Sequence, residues 1–147
     1  QKLLYVGGRQ AYQNFKFLGE CIRDKKFSLL ICGSELSREE TALLNKHIPG
    51  RYSNIVYPDN DELNKIYNSV YALAYPSSYE GFGIPVIEAQ CCGCPVIALN
   101  ASSIPEIIGD DSLLMNSLTK NEFLDKLDLL QDSGIRSRII SDGLENC

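Results

Sequence analysis

The chain has 147 residues, the size of a single domain, and 44% of them are hydrophobic, so it can form a buried core. Its formal net charge is −5, from 14 basic and 19 acidic residues without a basic stripe, which argues against a nucleic-acid-binding protein. No apolar run approaches the roughly 20 residues that span a membrane, and we expect no signal peptide before the first predicted strand.

Short apolar segments alternate with helical patterns along the chain. The predicted strands cover residues 3–6, 28–32, 54–57, 70–75, 96–99 and 113–115. Three of the helices between them begin with a capping residue that is followed three positions later by glutamate, at Ser37, Asp59 and Thr119. This alternation predicts an α/β fold, in which a parallel sheet carries helices on both faces.

Polar and glycine residues follow each of the first four predicted strands. These loops carry, in chain order, Gly8-Arg9, Gly33-Ser34, Pro58-Asp59 and Glu80-Gly81-Phe82-Gly83. In a parallel sheet the carboxyl ends of the strands meet at one edge, where ligands bind. The sequence therefore predicts a ligand site that is built from these loops.

The fourth of these loops belongs to the motif around which the chain is organised, residues 78–89. Gly81 and Gly83 leave the backbone free to turn sharply and to approach a ligand, and Pro85 suits the first turn of a helix. The motif predicts a strand, a glycine-containing loop and a helix N-terminus. Free N–H groups and the helix dipole make such an N-terminus an anion site.

Two glutamates, Glu80 and Glu88, stand in the loop and in the helix of this motif. Glu88 lies roughly 6 Å along the helix from Ile84, so it can hold two ribose hydroxyls of a ligand whose phosphates lie at the helix end. A glutamate near the start of any helix is also stabilised by the dipole, so the spacing alone leaves a structural role open.

This motif resembles the C-terminal, donor-binding domain of retaining GT-B glycosyltransferases of group 1, also called family four. The resemblance covers nearly the whole chain, including residues 5–9, 12–15, 31–34, 102–107 and 109–114. It implies a Rossmann-like sheet that forms one half of a GT-B fold. Residues 1–147 would be a single nucleotide-sugar-binding domain, the C-terminal half of a larger enzyme whose N-terminal acceptor domain is absent.

The resemblance also implies an activity, the transfer of a hexose from a nucleoside-diphosphate sugar to an acceptor with retention of configuration. The donor would be UDP- or GDP-linked, with no cofactor and no essential metal. The absent domain would bind a sugar or a lipid-linked acceptor, so we expect the isolated fragment to be inactive. We expect a cytoplasmic location and no nucleic-acid partner, and peripheral contact with the inner face of the membrane stays open for the full-length protein.

The resemblance implies a role for each residue that matches the family's motif. Glu88 would bind the ribose, Glu80 would contact the donor sugar, and Arg9 would bind the diphosphate and stabilise it as it leaves. The resemblance thus implies Arg9 and Glu80 as catalytic residues. The implied donor-binding residues are Gly8, Arg9, Gly81, Phe82, Gly83, Ile84 and Glu88.

One position departs from the family pattern, because Gln13 stands where the family usually has a lysine. Either Arg9 works with less help, or Lys16 substitutes, or the activity is weakened. Two alternative functions follow. One is a non-catalytic nucleotide-sugar-binding module, and the other is a sugar-nucleotide epimerase of the same fold, which would need more acid–base groups than this segment has.

Three features have structural alternatives. Phe82 is either a core residue or a donor contact, and the Asp59–Asp61 pair is either a divalent cation site or a helix cap, for which asparagine and aspartate are favoured. Of the six cysteines, Cys91 and Cys94 form a C-x-x-C pair, but the only histidine, His47, has no nearby partner. We therefore expect reduced, small buried side chains rather than a zinc site.

Overall fold

The computed structural model describes residues 1–147 as one six-stranded sheet with seven α-helices. The strands are β1 (Lys2–Val6), β2 (Ser28–Gly33), β3 (Tyr52–Val56), β4 (Ala72–Tyr75), β5 (Val96–Leu99) and β6 (Leu114–Met115). The helices are α1 (Phe15–Cys21), α2 (Arg38–His47), α3 (Asn60–Ser69), α4 (Ile84–Cys91), α5 (Ile104–Ile107), α6 (Lys120–Leu129) and α7 (Ser133–Glu145). The strands pair in parallel in the order β3-β2-β1-β4-β5-β6.

Helices cover both faces of this sheet. Leu3 and Tyr5 of β1 enter one hydrophobic core with residues of α1 and α6, while Leu4 enters a second core with residues of α3 and α4. Since both faces are buried, the strands are apolar at successive positions. The predicted α/β fold is thus confirmed. None of the helices combines the length and the apolar character that crossing a membrane requires.

The strand order reverses at the centre of the sheet. From β1 the chain moves outward to β2 and β3, then returns to β4, which pairs with β1 on its other side. Loops that leave two such strands run apart, and the crevice between them is where ligands bind in open parallel sheets. The loops with Gly8-Arg9 and with residues 80–83 follow these two central strands, so the predicted common edge is confirmed.

Six predicted strand boundaries were wrong, by one residue in β1, β2 and β6 and by one or two residues in β3 and β4. The third strand, predicted for residues 54–57, ends at Val56, because the backbone of Tyr57 is left-handed with φ 46°. The fourth, predicted for residues 70–75, begins at Ala72, because Val70 is the C-cap of α3.

The three predicted helix starts are present, with one difference in detail. Ser37 and Glu40 cap α2 reciprocally, since each side chain accepts from the other's backbone N–H. The Thr119 hydroxyl accepts from the N–H of Glu122, but the Glu122 carboxylate turns away to the N–H groups at residues 116–117. The start of α6 therefore has only half of the predicted capping box.

The prediction of reduced, buried cysteines was wrong for one pair. Cys91 at the end of α4 forms a disulfide with Cys147 just beyond α7, across a sequence separation of 56 residues. The pair meets because α7 packs against α4, which local sequence cannot reveal. Cys21, Cys32 and Cys94 are free and buried, and burial raises their thiol pKa values to about 12, 11 and 12.

Candidate functional site

Arg9 lies just beyond β1 and is held on three sides. Its side chain is only 5% exposed. Nε donates to Oε1 of Glu40 at 2.7 Å, and Nη2 donates to Oγ of Ser34 at 3.0 Å and to the carbonyl oxygen of Glu35 at 2.8 Å. The guanidinium carbon lies 5.7 Å from the centre of the Phe15 ring. Nη1 is buried without a hydrogen-bond partner, so two of the five guanidinium donors stay free.

The free Nη1 lies at the carboxyl ends of β1 and β2. A Cβ atom at Gly33 would lie 3.6 Å from Nη1 and only 2.6 Å from the carbonyl oxygen of Gly7. Gly33 also has φ +153°, which favours glycine. Because glycine stands here, an open groove of about 400 Å³ extends from the glycines at these strand ends to Tyr57, Pro58 and Leu63.

A second set of free donors lies at the start of α4. The backbone N–H groups of Gly81, Phe82 and Gly83 donate to no protein group, and no side chain caps the helix. Gly83 has φ +82°, and a Cβ atom there would come within 2.8 Å of Ile107 Cδ1. The motif therefore has the predicted geometry of a glycine-containing loop that presents N–H groups at a helix N-terminus.

Glu80 has a fixed backbone and one carboxylate oxygen without a hydrogen-bond partner. Its carbonyl oxygen accepts from Oγ of Ser102 at 2.7 Å and from Oγ of Ser103 at 3.2 Å. Its Oε1 is buried without a hydrogen-bond partner. Burial and then the Glu80 carboxylate raise the pKa of Tyr75. An unpaired buried carboxylate oxygen is costly unless a ligand supplies a donor.

Tyr5 lies near both Glu80 and Arg9. Its hydroxyl donates to the carbonyl oxygen of Gly8. Burial raises the pKa of Tyr5, the charge of Arg9 opposes that rise, and the nearby Glu80 carboxylate adds to it. The structure thus brings the two predicted catalytic residues into the surroundings of one phenol.

Glu88 lies in α4 and is tethered to α3. The hydroxyl of Tyr67, which is 1% exposed, donates to Oε2 of Glu88 at 3.0 Å. Burial, followed by the Glu88 charge, raises the pKa of Tyr67, so the phenol stays protonated and remains a donor. Leu63, one turn earlier in α3, lines the groove. The same helix therefore borders the groove and holds this carboxylate.

Aromatic and aliphatic side chains surround the site instead of filling the core. Phe82 is 59% exposed, so the core alternative for this residue was wrong. Tyr12 and Tyr79 pack edge to face with ring centres 6.1 Å apart. Ile84 and Tyr57 are exposed as well. Exposed apolar groups grouped at one edge are typical of binding surfaces.

Gln13 and Lys16 have different surroundings. Oε1 of Gln13 accepts from the N–H of Gln10 at 2.8 Å, and its side chain lies against Gly8, which lines the groove. Lys16 is exposed on α1 and lines a separate cavity together with Arg9 and Glu40. Of the two, Gln13 is the closer to the groove.

Asp59 has a structural role at the start of α3. The side chain of Asp59 accepts from the N–H of Glu62 at 2.8 Å and caps the helix. No group of three or more histidine, cysteine, aspartate or glutamate side chains is arranged to hold a metal ion. The cap alternative for this segment is the one that the contacts support.

Two contacts at the site escaped the sequence analysis. Glu40 was recognised only as part of a capping box, and Tyr67 carried no motif. Glu40 is separated from Arg9 by 31 residues, and Tyr67 from Glu88 by 21. No local pattern reports such pairs, so only covariation among relatives could have revealed them.

These features define an open, doubly wound α/β domain with free N–H donors at the strand-order reversal of its parallel sheet. Residues 1–144 match the family Glycosyl transferases group 1, so the chain belongs to this family. The predicted resemblance is confirmed.

Two relatives of this chain are named as sugar transferases. The chain is 43% identical over 58 residues to O-antigen chain mannosyltransferase B of Escherichia coli, which covers 40% of this chain and 15% of that protein. It is 30% identical over 132 residues to D-inositol 3-phosphate glycosyltransferase of Corynebacterium glutamicum, which covers 84% of this chain and 32% of that protein. The chain therefore spans less than half the length of these relatives.

A solved structure gives the same fold. The chain superimposes on Anabaena HepE, solved in complex with UDP and glucose, with a TM-score of 0.83 and 16% identity. The match covers 98% of this chain and 42% of that chain. At this identity the likeness concerns the fold alone, and it agrees with a Rossmann-like domain that forms one half of a GT-B fold.

Proposed function

We propose that this domain binds a nucleoside-diphosphate sugar at the carboxyl edge of its sheet and is the donor-binding, C-terminal half of a retaining glycosyltransferase. The observation that carries the proposal is the buried, unpartnered Nη1 of Arg9. Glu40 already compensates the charge of Arg9, but the two free N–H donors of Nη1 still need acceptors, and the oxygens of a diphosphate supply them. The free N–H groups at the start of α4 provide a second set of donors for the same ligand.

The other parts of the donor follow from the positions of the remaining groups. The base occupies the groove beside Tyr57 and Pro58, and the ribose diol binds Glu88, which α3 holds next to that groove. The unpaired Oε1 of Glu80 accepts a hydroxyl of the sugar. The backbone of Gly81 to Ile84 lies against the diphosphate and the sugar.

The catalytic contribution of this domain is electrostatic. Departure of the nucleoside diphosphate builds negative charge on its oxygens, and Arg9 together with the N-terminus of α4 stabilises that charge as it grows. Both groups are held in place before the reaction, since Arg9 already has partners for Nε and Nη2. Little reorganisation is therefore needed in the transition state.

The acceptor binds elsewhere, because this edge is only one wall of a cleft. We propose that the rest of the protein binds a sugar or a lipid-linked acceptor and makes any membrane contact. HepE is described with UDP, which supports a UDP-linked donor, and a GDP-linked hexose stays the other candidate that the family resemblance implies. Retention of configuration and a cytoplasmic location stay predictions.

Calorimetry of the 147-residue chain with UDP, GDP and their hexose derivatives, with and without magnesium, tests the binding step. We expect weak binding that Arg9→Ala weakens by at least about tenfold but leaves measurable, because the free N–H groups at the start of α4 remain, whereas Arg38→Ala leaves it unchanged. Arg38 is an exposed cation at the start of α2 and is thus a charge-matched control. Binding that Arg9→Ala leaves unchanged contradicts the proposal.

Sugar transfer is tested separately. We expect none from the 147-residue chain, and transfer with a retained anomeric configuration from the full-length protein. Donor binding without transfer by the full-length protein would indicate the non-catalytic module. Release of an epimerised sugar nucleotide would indicate the epimerase.

A further inference from the structure

Arg9 depends on α2 for its orientation. A free arginine side chain has several rotatable bonds, and fixing it against a ligand costs conformational entropy. In this structure the cost is met in advance, since Nε and both donors of Nη2 are bound within the protein. The contact with Glu40 is the only one of the three to a charged side chain, and charge-assisted bonds are the stronger kind.

Glu40 is itself held rigidly. Its Oε2 accepts from the backbone N–H of Ser37 at 2.8 Å, while its own N–H donates to Oγ of Ser37 at 3.1 Å. Its side chain is 15% exposed. The carboxylate therefore cannot follow Arg9 if the arginine moves, and it acts as a fixed anchor.

We propose that Glu40 is a positioning residue, which holds the guanidinium of Arg9 so that Nη1 alone faces the donor diphosphate. This inference rests on the proposed function, and it assigns to α2 a part in donor binding although Glu40 touches no ligand. The ring of Phe15 limits motion of the guanidinium out of its plane. Glu40 limits its rotation within the plane.

The negative charge of Glu40 would also repel a diphosphate, and the site reduces this effect. Glu40 lies in the first turn of α2, where the helix dipole and the Ser37 N–H compensate a carboxylate. It also binds Nε, on the opposite side of the guanidinium carbon from a diphosphate at Nη1. Orientation of Arg9 is therefore the larger contribution of Glu40 to binding.

A double-mutant cycle tests the inference by calorimetry of the 147-residue chain with UDP and GDP. Glu40→Ala is expected to weaken binding about tenfold. Glu39→Ala removes an equal charge from an exposed residue in the same helical turn, and we expect it to change the affinity less than about twofold. In the Arg9→Ala background, Glu40→Ala is expected to have no further effect, because Glu40 acts only through Arg9.

Two further variants distinguish the positioning of Arg9 by Glu40 from an effect on the stability of the domain. Ser37→Ala damages the same helix end but keeps the Arg9–Glu40 bond, so it is expected to lower the melting temperature and to spare affinity. Glu40→Gln keeps one acceptor oxygen, so we expect it to lose less affinity than Glu40→Ala. If Glu40→Ala does not fold, Glu40→Gln takes its place in the cycle. Glu40→Gln is expected to weaken nucleotide binding about threefold in the wild-type background and to have no effect in the Arg9→Ala background.

The outcomes are distinct. Affinity that is unchanged or increased by both Glu40 variants overturns the inference, as does a loss that persists in the Arg9→Ala background. In either case wild-type binding and its sensitivity to Arg9→Ala would leave the proposed function intact. Absence of any nucleotide binding by the wild-type chain contradicts the proposed function and overturns the inference with it.

Discussion

Replacement of Glu88 by alanine provides a direct test of how the donor lies in the site. The Tyr67 hydroxyl occupies one acceptor position of Oε2, at 3.0 Å. A carboxylate has about four lone-pair sites, so Glu88 can still accept from both hydroxyls of a ribose diol. Hydrogen bonds to a charged group contribute about 1.5 to 3 kcal/mol. Glu88→Ala should therefore weaken the binding of a nucleoside diphosphate about 10- to 150-fold.

The assay is calorimetry with the nucleoside diphosphate and with its 2′,3′-dideoxy analogue. The analogue has no diol, so Glu88→Ala should change its affinity very little. Glu80→Ala is the matched control, because it removes an equal charge from the same motif and should spare the bare nucleoside diphosphate. It should weaken only the intact sugar nucleotide, whose sugar Glu80 is proposed to contact.

Tyr67→Phe adds an intermediate case. It removes the tether but keeps the ring in the core, where Tyr67 is 1% exposed. We expect a loss of diol-dependent affinity that is smaller than that of Glu88→Ala. An equal loss for the diphosphate and its dideoxy analogue on Glu88→Ala would refute the ribose assignment. If neither glutamate variant changed the affinity for any sugar nucleotide, the motif would be structural.

Three other perturbations have defined outcomes. Gln13→Lys should tighten diphosphate binding by about 1 kcal/mol in calorimetry, because it places a cation beside a partly exposed groove, and weaker binding would contradict this geometry. Reduction of the Cys91–Cys147 disulfide should lower the free energy of unfolding by up to about 4 kcal/mol for a loop of this length, whereas Cys92→Ser should leave the effect of reduction unchanged. Burial raises the pKa of Glu40, but its hydrogen bonds and the charge of Arg9 outweigh burial, so the pKa is lowered. The ionised carboxylate of Glu40 therefore stabilises the fold above the ordinary glutamate pKa, and this stabilisation is lost as the pH falls below that value. Melting curves against pH should thus show a smaller acid-side decline for Glu40→Gln than for the wild type.

Local patterns were sufficient for much of the fold. Apolar segments separated by capped helices predicted the parallel sheet, and the helix starts at Ser37, Asp59 and Thr119 are all present. Such features depend on residues within one turn or one strand, where backbone geometry and hydrogen bonding are decided locally. The motif at residues 78–89 likewise encodes its own turn, because only glycine fits beside Ile107 at Gly83.

The boundaries of β3 and β4 were less predictable. An apolar tyrosine suits a strand by composition, yet Tyr57 has a left-handed backbone and is 74% exposed. Its N–H donates to the carbonyl oxygen of Gly33 on the neighbouring strand. Where a strand ends depends on its partner strand as well as on its own residues, so sequence alone placed this end incorrectly.

The sequence by itself determined the kind of fold, the edge at which the loops with Arg9 and with residues 80–83 lie, and the residue types available there. Only the tertiary structure decided which of these polar groups have hydrogen-bond partners within the protein and which have none. Arg9 has a single free nitrogen because Glu40, 31 residues away, binds Nε while Ser34 and Glu35 bind Nη2. Glu88 is held by Tyr67 on another helix. These contacts arise from the strand order β3-β2-β1-β4 and from helix packing. They join segments distant in sequence, so no periodicity or local motif encodes them.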